Sequence, residues 1–403
     1  MNDDRKLRVM FHCQPTLGIG HFIRSREIVR ALDGFDVTFV IGGEIPSGFE
    51  LPAQVEVAHL PALQFDEEFR TLSTAEGETD LEVIKNIRKA ELLAAFDYVK
   101  PDLLVIELFP FGRRKFDFEL VPLLERAKQS GTKVICSLRD ILVGKRKQAQ
   151  FDEAAVRLMN EHFDLLLIHS DPNFQKLEET FTRLHDLTCD IRYTGFVLQR
   201  IEEDFHSLLS FFKPDVPVII VSVGGGRVGH ELIECTIEAQ PRIAERFAHQ
   251  MLILCGPQMP IEMEQRIKQL AETNSQITVE RYVANLPLHL KYAALSISMG
   301  GYNTCMDLLA SGVRAIVYPF TGNDNQEQTM RAAKLAAMGR LRLIHAGELT
   351  PERLTEEALL ALQMPDEALH TSIDTNGAAK TAEILIEIGL NKSWKEREVT
   401  EHG

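Results

Sequence analysis

At 403 residues, with 45% hydrophobic residues and a net charge of −15, the chain is long enough for two domains of ordinary size and too acidic for the basic footprint of a nucleic-acid binder. Its six cysteines are widely spaced with no Cys-x-x-Cys pair, and Cys136 and Cys255 lie in strand-like apolar runs, which points to reduced core thiols and a cytoplasmic location. The polar start Met1–Lys6 is unlike a signal peptide, and no apolar run approaches the roughly 18 residues that a membrane span needs.

The first apolar run, Leu7–His12, reads as a strand, and Phe22–Leu32 as the amphipathic helix that follows it. Further strands are predicted at Val37–Ile41, Val55–Ala58, Leu103–Ile106, Val134–Ser137, Leu165–His169 and Ile191–Tyr193. Helical patterns over Asp80–Tyr98, Glu119–Ser130 and Asp152–His162 alternate with them. Buried β-runs alternating with helices imply parallel strands and crossover connections. After a break at Arg200–Pro217 the pattern restarts, with strands at Val218–Val223, Met251–Cys255, Ile277–Glu280, Leu295–Ser298, Ala315–Tyr318 and Leu341–Ile344. The expected fold is α/β: two Rossmann-like doubly wound parallel-sheet domains facing an interdomain cleft. The boundaries fall at 1–205 and 206–380, and an amphipathic helix over Ala378–Ile388 leads into a polar tail, with 381–403 as the terminal segment.

Ligands on such sheets bind beyond the carboxyl ends of the strands, and three glycine-rich turns fall there. They are Leu17-Gly-Ile-Gly-His21, Gly224-Gly-Gly226 and Gly300-Gly301. The first is not a dinucleotide fingerprint, because Ile23 stands where Gly-x-Gly-x-x-Gly needs its last glycine. No Walker loop and no Asp-x-Asp motif occurs, and no His, Cys and acid cluster has metal-ligand spacing, so neither a metal nor a cofactor is expected. Phosphate would be held by helix ends and backbone N–H groups.

The segment Ser298–Gly312 reads as a strand end, a glycine turn and a short helix opened by Asn303 and Thr304. Glycine there lets a ligand approach the backbone, the helix N-terminus attracts phosphate, and Asp307 can accept both hydrogen bonds of a ribose diol. A second reading needs no ligand: Thr304 and Asp307 have the spacing of a capping box.

These residues together resemble the two-Rossmann (GT-B) glycosyltransferases, specifically glycosyltransferase family 28, a group that includes the N-acetylglucosaminyltransferase that makes lipid II. Gly18-Ile-Gly-His-Phe22 is similar to that family's N-terminal glycine loop, and Gly224-Gly-Gly-Arg227 to its second loop. Arg281–Leu286, with Val283, is similar to the segment that reads the nucleotide base. Gly300–Gly312 is similar to the nucleotide signature, with Asp307 in place of a ribose-binding glutamate. Glu327-Gln328 is similar to a Gln-Gln pair that contacts the donor sugar, its first position changed to Glu. The resemblance implies a nucleotide-sugar donor, UDP-linked, held by Gly20, Gly225, Gly226, Arg227, Val283, Gly300, Gly301, Asn303, Thr304, Asp307, Glu327 and Gln328. It also implies inverting transfer to a hydroxyl acceptor. The pattern Gly-x-Gly-His-x-x-Arg24 is similar to nucleotide-sugar hydrolases of pseudaminic acid synthesis, which use the histidine to activate water. A silent nucleotide-sugar sensor on the same fold is the third reading.

His21, just past the first glycine turn, can take the proton of an acceptor hydroxyl, or it can cap the next helix or bond a loop carbonyl. Glu107 ends the strand Asp102–Ile106 and Asp140 ends Val134–Arg139, and each can act as base, orient His21, or serve as an ordinary helix N-cap or solvated loop acid. The runs Arg113-Arg114-Lys115 and Lys145-Arg146-Lys147 follow the same strand ends. They suit an anionic or membrane-linked acceptor at the inner membrane face, or are solvated surface.

Overall fold

The computed structural model describes residues 5–390 except 16–19, 46–48, 66–71, 75–79, 143, 145–146, 204–207, 209–210, 213–214, 284, 323–325 and 366–371. The start of the first glycine turn, Lys145 and Arg146, and the tail from Asn391 therefore lie outside the described residues. The chain forms two compact units: Met1–Val197 with Ile373–Gly403, and Leu198–Ser372.

In the first unit the strands are β1 (Arg8–Cys13), β2 (Asp36–Gly42), β3 (Glu56–Leu60), β4 (Leu63–Phe65), β5 (Leu72–Thr74), β6 (Leu103–Glu107), β7 (Lys133–Arg139), β8 (Leu165–His169) and β9 (Asp190–Tyr193). Seven of them make one parallel sheet in the order β3-β2-β1-β6-β7-β8-β9, while β4 and β5 form a separate antiparallel hairpin. Strands such as Leu-Leu-Val-Ile-Glu in β6 are buried at every position because helices cover both faces. Alternation sends Met10, Leu104 and Ile106 to one core, and Phe11, Cys13 and Val105 to the other. The strand order reverses between β1 and β6, which pair directly with His12 beside Ile106.

Local chemistry sets the helix ends. Asp80 caps Leu81–Val99 by accepting from the Glu82 N–H at 2.9 Å, and Gly131, at φ 72°, ends Asp117–Ser130 in the left-handed conformation. The last helix, Gly377–Leu390, returns to the first unit. It packs on helix Gly20–Ala31 and is pinned by Arg192 to Glu387 at 3.0 Å and by Phe196 N–H to Asp374 O at 2.8 Å. A cut at residue 380 therefore divides this helix, whose apolar side belongs to the core that holds Phe11, Cys13 and Val105.

The second unit holds β10 (Val218–Ser222), β11 (Gln250–Leu254), β12 (Ile277–Glu280), β13 (Leu295–Met299), β14 (Ala315–Tyr318) and β15 (Arg342–Leu343). They form a parallel sheet ordered β12-β11-β10-β13-β14-β15, reversing between β10 and β13. Helix Pro351–Leu362, capped by Thr350 and opened by Pro351, packs on helix His230–Ala244 and is absent from the sequence reading, as is the β4–β5 hairpin. All six cysteines are free.

One buried network ties the first unit together. The Arg88 guanidinium donates to both oxygens of Glu119 at 2.8 and 2.6 Å, to Gln14 Oε1 at 2.8 Å and to Pro61 O at 2.5 Å. Gln14 in turn donates to Gly42 O at 3.1 Å, so a single side chain joins the ends of β1 and β2 to two helices. Removing one partner of a buried pair strands the other charge. Arg88→Met is expected to cost about 3–5 kcal/mol in urea unfolding, and Arg88→Met with Glu119→Leu to recover most of it. A loss below about 1 kcal/mol, the range of exposed pairs, would contradict this account of the network.

Candidate active site

The reversal between β1 and β6 brings together residues from two segments. Helix Gly20–Ala31 follows the first glycine turn, and its His21 and Arg24, three residues apart, share one face. Glu107 is the last residue of β6 and lies on the same side of the sheet as Cys13 and Val105, toward that helix. The contacts follow from this placement. His21 Nδ1 is 2.7 Å from Glu107 Oε1, and Arg24 Nη2 reaches the same oxygen at 2.5 Å.

Arg24 Nη2 also lies 3.4 Å from His21 Nδ1. A lone pair on Nδ1 would face the carboxylate oxygen, so the network assigns the proton to Nδ1, which donates to Glu107. Both contacts of the ring among the described residues use Nδ1, leaving the Nε2 lone pair for chemistry, and the side chain is 13% exposed. Burial lowers the His21 pKa to about 4, with Arg113 and Arg24 lowering it and Glu107 opposing them. Burial by itself would raise the Glu107 carboxyl, but His21, Arg24 and Arg113 outweigh it and hold the carboxyl well below the usual range. The ring is neutral at pH 7 beside an ionised carboxylate.

Asp140, the other acid considered, is buried just after β7 and does not bond His21. Of the run Arg113-Arg114-Lys115, only Arg113 leaves the surface, Arg114 being half-buried and Lys115 exposed. Arg113 is buried in the left-handed conformation at φ 59°, close enough to Glu107 to shift it, and Arg114 pairs with Asp117 at 2.8 Å. His169, at the end of β8, is fully buried between Ser137 Oγ at 2.8 Å and Thr194 Oγ1 at 2.9 Å.

In the second unit the turn after β10 and the turn after β13 flank the strand-order reversal. Gly226, at φ 89°, has no room for a side chain: a Cβ would lie 2.3 Å from Cys255 O. Packing of the protein itself explains that glycine. Gly301 differs. Its φ is −59°, and a Cβ there would meet only Thr304 Oγ1 at 3.8 Å, so the chain's own packing does not demand glycine. Gly301 is the N-cap of helix Tyr302–Ser311, with no side-chain cap bond. This overturns the capping-box reading, because Thr304 is the third helical residue rather than the cap. Asn303 is half-buried there, whereas Thr304 and Asp307 are buried.

Arg331 was not among the residues singled out as site candidates. Fully buried on helix Glu327–Ala337, it bonds Glu327 Oε1 at 2.9 Å, approaches Gly300 O at 3.5 Å and lies over the Tyr302 ring at 5.2 Å. Its i,i+4 spacing from Glu327 was the available signal. Gln328 Oε1 accepts from Phe320 N–H at 3.0 Å. Gly225 and Arg227 are exposed, and Gly20 and Val283 half-buried. Among the described residues, no group of three or more His, Cys, Asp or Glu side chains is arranged to hold a metal. Among the described residues, no helix is long and apolar enough to cross a membrane.

Residues 219–387 match the glycosyltransferase family 28 C-terminal domain. The chain is 28% identical over 170 residues to the UDP-N-acetylglucosamine–N-acetylmuramyl-(pentapeptide) pyrophosphoryl-undecaprenol N-acetylglucosamine transferase of Exiguobacterium sibiricum, covering 39% of this chain and 45% of the relative. The enzyme of the same name from Methylorubrum extorquens is 29% identical over 174 residues, covering 42% and 45%. The chain thus aligns with less than half the length of these relatives. Among solved structures, the calicheamicin glycosyltransferase CalG4 superposes with a TM-score of 0.61 at 15% identity over 98% of this chain and 100% of CalG4. MurG of Acinetobacter baumannii superposes with a TM-score of 0.56 at 15% identity over 94% and 99%. The fold is GT-B.

The buried histidines set a pH dependence. The His169 and His12 pKa values are lowered by burial to about 3, against 6.5 for an exposed side chain. Between those values the unfolded chain takes up a proton that the folded chain does not, so stability falls as pH falls below 6.5. Each such histidine contributes a slope of about 1.4 kcal/mol per pH unit. His169→Asn is expected to lower stability at pH 7.5 but to reduce the slope of unfolding free energy between pH 6 and 4.5 by that amount, read by urea titration at each pH. An unchanged slope would show that His169 does not stay neutral on folding.

Proposed function

From the family 28 C-terminal domain at residues 219–387 of a GT-B chain, we propose a glycosyltransferase that moves a sugar from a nucleoside diphosphate, UDP in this reading, to an acceptor hydroxyl without a metal. The observation that carries the proposal is the contact of His21 Nδ1 with Glu107 Oε1, because it orients a neutral imidazole as a base. His21 Nε2 takes the hydroxyl proton as the acceptor oxygen attacks the anomeric carbon. The bond from that carbon to the diphosphate oxygen breaks, and the nucleoside diphosphate leaves. One displacement inverts the anomeric centre. Glu107 does not take the proton; it stabilises the imidazolium that forms.

The donor assignment rests on the second unit. A helix N-terminus without a side-chain cap suits the diphosphate, with Asn303 and Thr304 in its first turn and Arg227 a further charge for the leaving group. Glycine at 301, unneeded by the protein's own packing, leaves the backbone open to a ligand. Asp307 is assigned to the ribose diol. Gly20, Gly225, Gly226, Val283 and Gly300 are assigned to close backbone approach, and Gln328 to the sugar. The absence of an Asp-x-Asp motif supports the metal-independent reading.

The test is incubation with UDP-sugars, following UDP release with and without a panel of neutral, anionic and lipid-linked hydroxyl acceptors. Release that requires acceptor is expected. Release into water would establish the hydrolase, and binding without release a sensor. His21→Asn is expected to lower kcat by roughly 10²–10⁴ while leaving UDP affinity unchanged. A rate near wild type would remove His21 from the chemistry. Asp307→Ala is expected to weaken UDP binding at least tenfold by calorimetry, since charge-assisted hydrogen bonds contribute about 1.5–3 kcal/mol each. Unchanged affinity with a large fall in Tm would make Asp307 a structural residue of its helix.

A further inference from the structure

Helical spacing makes Arg24 more than a neighbour of the base. Its guanidinium sits 2.5 Å from the one carboxylate oxygen that accepts the His21 N–H, and 3.4 Å from the His21 nitrogen. Both partners are secluded: the Arg24 side chain is 2% exposed and that of Glu107 fully buried. A carboxylate beside an imidazole ordinarily favours the imidazolium. Here a fixed cation already neutralises that carboxylate and faces any charge that would form on the ring.

We infer that Arg24 is a positioning residue that sets the proton affinity of His21, by holding the shared oxygen of Glu107 and placing a fixed positive charge against the ring. The result is a base kept unprotonated across the neutral and mildly acidic range, even though a buried carboxylate orients it. The groups that face His21 fit this account from every side. Arg24 lies on its own helix, Glu107 on β6 and Arg113 on the loop after β6, and the low pKa of the ring reflects burial and both guanidiniums against Glu107. Arg139, on β7, acts on Arg113, while Cys13 on β1 and His169 on β8 both sense Arg24 and Glu107. Asp140 is buried after β7 but does not bond the ring. The inference rests on the reading of His21 as the base, and it predicts a property of the free protein that can be measured without any reaction.

The experiment is a titration of the full chain labelled with carbon-13 at histidine Cε1, with the His21 signal assigned by its loss in His21→Asn. In the wild-type protein His21 is expected to stay neutral down to pH 5. Arg24→Gln should raise its midpoint by about 1–3 pH units, the usual effect of an opposite charge at this range once it is no longer compensated. Arg24→Lys, which keeps the positive charge, should return the midpoint toward wild type. If Arg24→Gln does not fold, Arg113→Gln removes the second guanidinium acting on Glu107 and should move the midpoint in the same direction. An unmoved midpoint in the folded glutamine variant overturns the inference, as does a wild-type His21 that already titrates near 6.5. A midpoint that moves while His21→Asn retains the full transfer rate upholds the tuning by Arg24 and removes only the base assignment.

Discussion

The candidate chemistry depends on one buried oxygen, Oε1 of Glu107. It accepts from His21 and from Arg24 at once, and it is placed there by the order of the strands. β1 and β6 are neighbours at the point where the sheet reverses, so the first turn of helix Gly20–Ala31 and the last residue of β6 meet at one edge. An isolated carboxylate at that depth would be costly, and its pairing with Arg24 makes ionisation tolerable. The ionised carboxylate then fixes the histidine tautomer.

The second unit solves a different problem with backbone. Two loops approach each other closely enough that Gly226 and Gly256 leave no space for a Cβ, which fixes the shape of the turn after β10. Across the reversal, the turn at Gly300 and Gly301 is held from beneath by the Arg331 guanidinium, which bonds Glu327 and lies over Tyr302. Glu327 is committed to that ion pair. In both units a buried arginine organises the residues nearest the candidate ligand.

Much of this was legible in the chain, for physical reasons that differ by element. Strands buried on both faces, such as β6, β8 and β10, leave unbroken apolar runs and were readable on that account. The β4–β5 hairpin was not, because three-residue strands carry too little periodicity. Helix Pro351–Leu362 had readable signals in Thr350 and Pro351 that went unused. The return of helix Gly377–Leu390 to the first unit is a packing outcome with no local mark. For the acid beside His21 the sequence left Glu107 and Asp140 equal, since both end strands. Strand order separates them: β6 is adjacent to β1, and β7 lies one strand further, about 4.8 Å away. The spacing of Thr304 and Asp307 misled because a capping box needs Thr at the N-cap, and Gly301 occupies it.

The central claim is that Glu107 makes His21 a base by holding its tautomer, and Glu107→Gln tests it most directly. The glutamine keeps the shape of the side chain, but its amide can hold the ring in the wrong tautomer. The account predicts acceptor-dependent UDP release slowed by roughly 10²–10⁴, as expected for loss of an oriented general base, with UDP affinity unchanged. A Glu107→Gln protein that folds normally and turns over near the wild-type rate would contradict it.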